Sequence, residues 1–569
     1  MAGENKGINI GTLLLGLLPA VYTLVYVFSH YDVPAFVLLG LAALVYIVSV
    51  VLIVALNKRV NPAQLRDDSS QSNQVPVKSL IVIIIASVSS LIYLSQSSPL
   101  YPINDWVDPN IFFTTGRAIL NGQVLYQDIT DHKGPFMFFI QIPGILISEH
   151  SFVGIFLLEV VACFVFLFFI YKILMLFTKS SFITNAAIFI VPFYLFSTWT
   201  FFRGGSAEEY ILPVYAATLY IGLRGIREGR LPRGLEAFVV GILAGFVFWL
   251  KYTMCGLFLG FVLFVIIRCI KARDYKLLGK LAGLFICGYM VVSLPVVIYF
   301  AANNALPSLF TGYFYNNLNV YMSLMNEGVK ADPLPIRFIF SFIYCYANTY
   351  PILFALFFIG ITYFAINKKN DIVLFILLSH ATSVISIYIG GYQMWYYALI
   401  LYSFSAIGLI PLSIIGNRLL NKNNAKKILI AVMAILCILM PVRAFFESAS
   451  VYLLFKSKEE LPQYRFAEII NSSEDRTLIN YNALDGGFYF TTGTLPFIKR
   501  YSMNAGEYYY RTEQEQVIAN RETEFIITRG ENPEFEGYTI IEEMSNSPVN
   551  IGSAPTEEIF YLYQRNASN

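Results

Sequence analysis

The chain has 569 residues, of which 57% are hydrophobic and 13% charged, and its mean hydropathy is +0.61. A soluble domain of this length could not hide so much apolar surface, so composition excludes a soluble enzyme and implies a polytopic membrane protein. The net charge of +2 says little, because the placement of charge matters more than its sum.

The N-terminus, "MAGENKGINIGTLLLGLL", lacks a basic n-region and a small-residue cleavage motif, and reads as an uncleaved first span. Apolar runs near bilayer length predict about thirteen helices. They fall near 9–28, 34–56, 79–97, 153–176, 182–199, 210–222, 235–250, 252–268, 281–300, 338–366, 371–389, 395–415 and 428–446. Basic clusters occur at Lys58/Arg59/Arg66/Lys78, Lys172/Lys179, Arg224/Arg227/Arg230/Arg233, Arg268/Lys271/Arg273/Lys276/Lys280, Lys368/Lys369 and Arg418/Lys422/Lys426/Lys427. With a cytoplasmic N-terminus, every one of these falls inside, as the positive-inside rule requires. This holds only if "PFMFFIQIPGILIS" (135–148) does not span. Its fourteen residues make a helix of about 21 Å against a hydrocarbon core of about 30 Å. It is expected to lie in the outer interface.

The expected fold is an α-helical polytopic membrane protein with a small extracytoplasmic C-terminal α/β domain. An N-terminal helix pair (1–56) and a cytoplasmic linker (57–78) precede a membrane region at 79–446, with external loops at 98–152, 200–209 and 301–337. The tail from 447 to 569 is polar, and its runs "TLINYNA", "EFIITRG", "YTIIEEM" and "IFYLYQR" read as strands. All six cysteines lie in or beside apolar segments, which argues against a disulfide framework or a zinc site.

The first external loop holds "NDWVDPNIFFTTGRAILNGQVLYQDITDHKGP" (104–135). Its acids gather in two clusters, Asp105/Asp108 and Asp128/Asp131, with His132 and Lys133 behind the second. A short amphipathic helix ending in "NG" could fold the clusters together. Such loops are often no more than polar and solvated. Yet a carboxylate beside a membrane can deprotonate an acceptor hydroxyl or hold a divalent cation, and a lysine there can pair with a lipid phosphate. In the second loop, Glu208 and Glu209 follow Arg203; the plain alternative is an acid pair at a helix N-terminus. Lys251 interrupts a long apolar stretch, where a lysine is either functional or snorkelling. Trp395 and Tyr396 belong to an aromatic belt or stack on a sugar. His30, His150 and His380 have no spacing partner. No phosphate-cradling glycine motif occurs, so an external reaction would take its activated substrate from a lipid carrier.

The run 108–135 resembles the first external loop of bacterial polytopic glycosyltransferases of the GT-C superfamily, related to protein O-mannosyltransferases and to the lipid A aminoarabinose transferase. That pattern has an Asp, a Gly-centred short helix, a "G…Y.D" turn and a "KGP" motif, and "GGSAEEYILP" is similar to the second loop. The resemblance covers most of the chain from about residue 79. It implies inverting transfer of a hexosyl or pentosyl group from a polyprenyl-phosphate-linked donor to an extracytoplasmic acceptor: a cell-envelope glycan, a lipid or a protein.

By the same resemblance, Asp108 takes the position of the general base by its spacing to Gly116, with Asp105 as a second acid. Lys133, joined by Lys251 and Arg203, would contact donor phosphate. Glu208, Glu209, Asp131 and His132 would orient acceptor or metal. The cofactor stays open: magnesium or manganese could sit among the carboxylates, and the roles above do not require it. The expected location is the inner or plasma membrane, in contact with membrane lipids, with the N-terminus cytoplasmic and the C-terminal domain outside; no nucleic-acid partner is expected. One departure is "MWYYAL", where many relatives carry a histidine–tyrosine pair. The rivals are a transporter or lipid-linked-sugar flippase, and a non-catalytic anchoring protein. Against the first stand acids placed in loops and no evident repeat.

Overall fold

A backbone crossing hydrocarbon must satisfy its own polar groups, and the apolar segments do so as helices. The structure, a computed structural model, describes residues 74–178, 180–321, 333–347, 351–390, 394–502, 508–546 and 555–567. Apart from Ala20 and a few helical positions between 37 and 51, the expected helices 9–28 and 34–56 and the linker to residue 73 lie outside the described residues.

Among the described residues, seven helices are long and apolar enough to cross a membrane: Val77–Leu94, Val153–Met175, Gly234–Met254, Tyr275–Ala302, Asn370–Tyr388, Trp395–Leu420 and Asn423–Glu447. Shorter apolar helices add Pro135–Ile147, Ser181–Phe196, Leu334–Cys345 and Ile352–Ile366. Over the expected span 338–366 the described residues form Leu334–Phe342, a π-helical turn Ile343–Ala347 and Pro351–Ile366; residues 348–350 lie outside them. The span expected at 395–415 begins as a 3-10 helix, Trp395–Ser405, before the α-helix Ala406–Leu420.

Four helices position the site. We label them α1 (Val107–Leu120), α2 (Pro135–Ile147), α3 (Ala207–Arg227) and α4 (Gly234–Lys251). α1 and α2 are the two short helices expected in the first loop. They pack on one another through Phe112 and Phe138, with ring centroids 6.0 Å apart. α2 has 13 residues, too short for a straight crossing, and leaves Leu146 and Ile147 exposed. The region expected as an external amphipathic helix and loop, 301–337, contains the π-helix Phe310–Tyr321; residues 322–332 lie outside the described residues.

All four expected strands form: β1 (Leu478–Asn480), β2 (Phe525–Arg529), β3 (Tyr538–Ser545) and β4 (Ile559–Arg565). The sheet order is β1-β2-β4-β3. β1 runs parallel to β2, while β4 is antiparallel to both its neighbours. This domain does not hang free. Phe490 meets Phe113 of α1 at 5.1 Å and Phe152 at 4.5 Å between centroids. Those rings belong to a second buried core that joins the tail to the first loop.

Candidate active site

Asp108 lies in the first turn of α1, where the helix dipole favours a carboxylate. Its Oδ2 is 3.7 Å from the Nζ of Lys133. Lys133 is buried, and a buried ammonium is costly unless it is paired. Besides Asp108 it has the Nε2 of His132 at 3.0 Å and the ring of Phe112 at 5.6 Å. Its backbone is also held. The Lys133 N–H donates to Asp131 Oδ1 at 2.7 Å, and its carbonyl accepts from the Tyr126 hydroxyl.

The next residue explains how two distant stretches meet. The Gly134 N–H donates to the Leu250 carbonyl at 3.1 Å, and a Cβ at Gly134 would run into the Trp249 carbonyl. Only glycine lets the "HKGP" backbone lie against the end of α4. Lys133 and Lys251 therefore come from neighbouring backbones, and Lys251 is within electrostatic reach of Lys133 and Asp108. The Lys251 Nζ lies 2.5 Å from Glu208 Oε1, with both side chains buried. It also sits 3.5 Å from the centroid of the Tyr397 ring and 5.4 Å from that of Tyr396. Glu208 begins α3, where Ser206 caps the helix by accepting from the Glu209 N–H.

Asp105 and Arg203 stand differently from the sequence expectation. The Arg203 Nη1 is 2.6 Å from Asp105 Oδ1, and the Tyr452 hydroxyl donates to Asp105 Oδ2. Both carboxylate oxygens are thus engaged. Burial pushes the Asp105 carboxyl above its ordinary range, against the opposing pull of Arg203 and Arg529. Arg203 is buried against Phe202, 4.4 Å from the ring centroid. The two expected site residues pair with each other, and Lys133 pairs with Asp108 instead.

Glu209 turns the other way. Its Oε2 accepts the Gly205 N–H at 2.9 Å, and its Oε1 is buried with no hydrogen-bond donor among the described residues. Glu159, a buried acid inside an apolar helix, lies on the far side of this loop; the Ser95 and Ser97 hydroxyls donate to it at 2.5 and 2.7 Å. Sequence reading passed over Glu159, although an acid within "FLLEVVACF" is the signal that would have found it. Tyr397 belongs to the aromatic "MWYYAL" stretch that the sequence marks, whereas nothing in the sequence surroundings of Tyr452 and Asp485 marks them.

Asp131 Oδ2 is 3.8 Å from the His132 Nδ1. Burial, and then Lys133, hold the His132 pKa well below its usual value, so the ring is neutral at pH 7. Its carbonyl accepts from Asn317 of the π-helix at 2.7 Å. Asp128 serves its own turn, accepting from the Val124 N–H at 2.7 Å. Trp395 and Tyr396 enter an aromatic cluster: Trp395 meets Trp199 at 5.7 Å and Phe202 at 5.0 Å, and Tyr396 meets Trp106 at 5.8 Å. Among the described residues, no three His, Cys, Asp or Glu side chains converge as a metal site.

Residues 132–299 match the family model described as dolichyl-phosphate-mannose-protein mannosyltransferase. No curated protein sequence matches the chain. Among solved structures it is similar to ArnT from Cupriavidus metallidurans bound to undecaprenyl phosphate, with a TM-score of 0.52 and 10% identity, over 85% of this chain and 97% of that one. The apo state of that protein gives a TM-score of 0.48 at 10% identity and the same coverage. Arabinosyltransferase EmbB from Mycobacterium smegmatis gives 0.41 at 12% identity, over 67% of this chain and 34% of EmbB.

Proposed function

We propose that this polytopic membrane protein, whose fold is that of the GT-C glycosyltransferases, moves a sugar with inversion from a polyprenyl-phosphate-linked donor to a hydroxyl on an extracytoplasmic glycan, lipid or protein. The observation that carries the reading is the Asp108 carboxylate beside the buried Lys133, with a second buried lysine, Lys251, within electrostatic reach of both. The undecaprenyl phosphate bound to ArnT supports the same class of carrier. The loops 98–152 and 200–209 and the C-terminal domain then face outward, with the basic loops cytoplasmic.

In the reaction, Asp108 takes the proton of the acceptor hydroxyl. The oxygen attacks the anomeric carbon on the face opposite the phosphate, a new glycosidic bond forms, and the sugar–phosphate C–O bond breaks. The polyprenyl phosphate leaves with that electron pair, stabilised by Lys133 and Lys251 through charge-assisted contacts. In the free enzyme each lysine rests on a carboxylate, Asp108 or Glu208. An incoming phosphate competes for the ammonium groups and frees Asp108 to act as base. Asp105 and Arg203 serve as a buried strut beneath the loop, outside the chemistry. Glu208 positions Lys251, and Trp395 and Tyr396 form the wall against which the transferred or accepting sugar stacks.

The test is binding of undecaprenyl phosphate to purified protein, followed by transfer from a labelled pool of undecaprenyl-phosphate-linked sugars. Lys133→Ala should weaken binding. Asp108→Asn should bind normally yet transfer at least about a hundredfold more slowly. Asp105→Asn should instead unfold at lower temperature. A folded Asp108→Asn variant that transfers at the wild-type rate would remove Asp108 from the mechanism, and failure of the wild type to bind would remove the lipid donor.

A further inference from the structure

The C-terminal domain makes its polar contacts with the rest of the protein in an uneven way. One segment, residues 485–501, reaches the helix that carries Asp108 and the turn that leads to Lys133. The Thr114 hydroxyl donates to Asp485 Oδ2 at 3.0 Å. The Thr115 and Tyr501 hydroxyls are 3.0 Å apart, and that of Tyr501 donates onward to the Ile111 carbonyl at 3.1 Å. Arg117 Nη2 donates to the carbonyls of Tyr489 and Thr494 at 2.5 and 2.9 Å. Beyond the helix, the Thr130 N–H donates to the Lys499 carbonyl at 3.0 Å, three positions before Lys133.

These bonds do something that apolar contact alone would not. The rings of Phe113 and Phe490 hold α1 against the domain, but packing of rings tolerates small sliding. Directional bonds from Thr114, Thr115 and Arg117 fix how far the helix projects along its axis. Thr114 is six residues from Asp108, about 9 Å along a rigid helix, so an axial shift at Thr114 is carried whole to the carboxylate. Asp485 is itself fixed from behind. It is fully buried, and its Oδ1 accepts from the Gly487 N–H at 2.9 Å and from Asn480 of β1 at 3.3 Å. Burial pushes its carboxyl pKa up, while the Gly487 N–H, the Thr114 hydroxyl and Arg117 oppose the shift.

We propose that residues 485–501 are a brace that sets the spacing between Asp108 and Lys133, with Asp485 as its principal positioning residue. The kinetic consequence rests on the transferase reading above; the mechanical one does not. A brace of this kind gives the soluble domain a part in turnover without placing any of its atoms on substrate. Misplacement of a reacting group by about 1 Å can cost about a hundredfold in rate, which is the scale on which these bonds would act.

The experiment uses the full-length protein in nanodiscs, with Thr114→Val, Asp485→Asn and the conservative Thr114→Ser. Hydrogen exchange is followed in residues 107–120 and 128–135, with undecaprenyl phosphate binding and transfer from labelled undecaprenyl-phosphate-linked sugars measured alongside. Thr114→Val and Asp485→Asn should speed exchange in those two stretches and lower kcat by about tenfold to a hundredfold. Binding of undecaprenyl phosphate should stay within about twofold of wild type, and Thr114→Ser should restore kcat. Unchanged exchange in both stretches would overturn the brace. So would a kcat that is unaltered, or that falls only in proportion to the folded fraction. If the wild type transfers no sugar, the transferase reading fails, and the exchange result alone still decides the brace.

Discussion

The pair of Lys251 and Glu208 lets stability and ligand binding be separated. At 2.5 Å and an effective dielectric of about 20, the Coulomb attraction is about 6–7 kcal/mol before desolvation is counted. Desolvation offsets most of that, and removing one partner of a buried pair costs about 3–5 kcal/mol because the survivor is stranded. Lys251→Met strands Glu208, whose side chain is 1% exposed, and should lose that full amount. Glu208→Gln should lose less, about 1–3 kcal/mol, since the amide oxygen still accepts from the ammonium and Tyr397 remains 3.5 Å away as a cation–π partner. The double variant should recover stability relative to Lys251→Met, giving a coupling of about 2 kcal/mol. Equilibrium unfolding in mixed micelles reads the cycle. In parallel, undecaprenyl phosphate binding should weaken about tenfold or more in Lys251→Met and persist in Glu208→Gln. Additive energies would refute the ion-pair reasoning. Wild-type binding by Lys251→Met would refute a phosphate role for the lysine, whatever the cycle gave.

Two more outcomes follow from the loop geometry. His132 has a folded pKa depressed well below 6.5, so the unfolded chain binds its proton first. Stability from this group is present above about pH 6.5 and is lost as pH falls below it. From pH 7.5 to 5.5 the loss is at most about 1.4 kcal/mol, reduced by the 31% exposure of the ring; melting temperature against pH should lose this slope in His132→Asn, and an unchanged slope would refute the assignment. Gly205 has φ +86°, and a Cβ there would strike Pro109, the neighbour of Asp108. Gly205→Ala should lower stability by more than about 1 kcal/mol and reduce transfer with it; a variant equal to wild type in thermal unfolding and turnover would show that the loop relaxes freely.

Much of this was legible in the sequence because the signals were local. Apolar run length marked the spans, and alternation marked all four strands of the tail. The "HKGP" and "GGSAEEY" stretches stood out because charges and glycines are expensive beside hydrocarbon. What stayed hidden was who pairs with whom. Asp105 and Asp108 are three residues apart and indistinguishable by type, yet one meets Arg203, 98 positions on, while the other meets Lys133. Such choices are made by tertiary packing, which a single sequence does not display.

The proposed mechanism gives a reason for two lysines and two carboxylates. A buried ammonium waiting for a phosphate must be kept company in the meantime, or its desolvation would unfold the site. Asp108 and Glu208 supply that company at different closeness. Glu208 is buried and 2.5 Å from Lys251, whereas Asp108 is 3.7 Å from Lys133 and less enclosed. The looser pair is the easier one for a phosphate to part. In that mechanism the carboxylate released lies in the first turn of a helix whose other face is bonded to the C-terminal domain. On the proposed mechanism, a base released in this way is already held in position, and it becomes available only when a lipid phosphate takes its lysine.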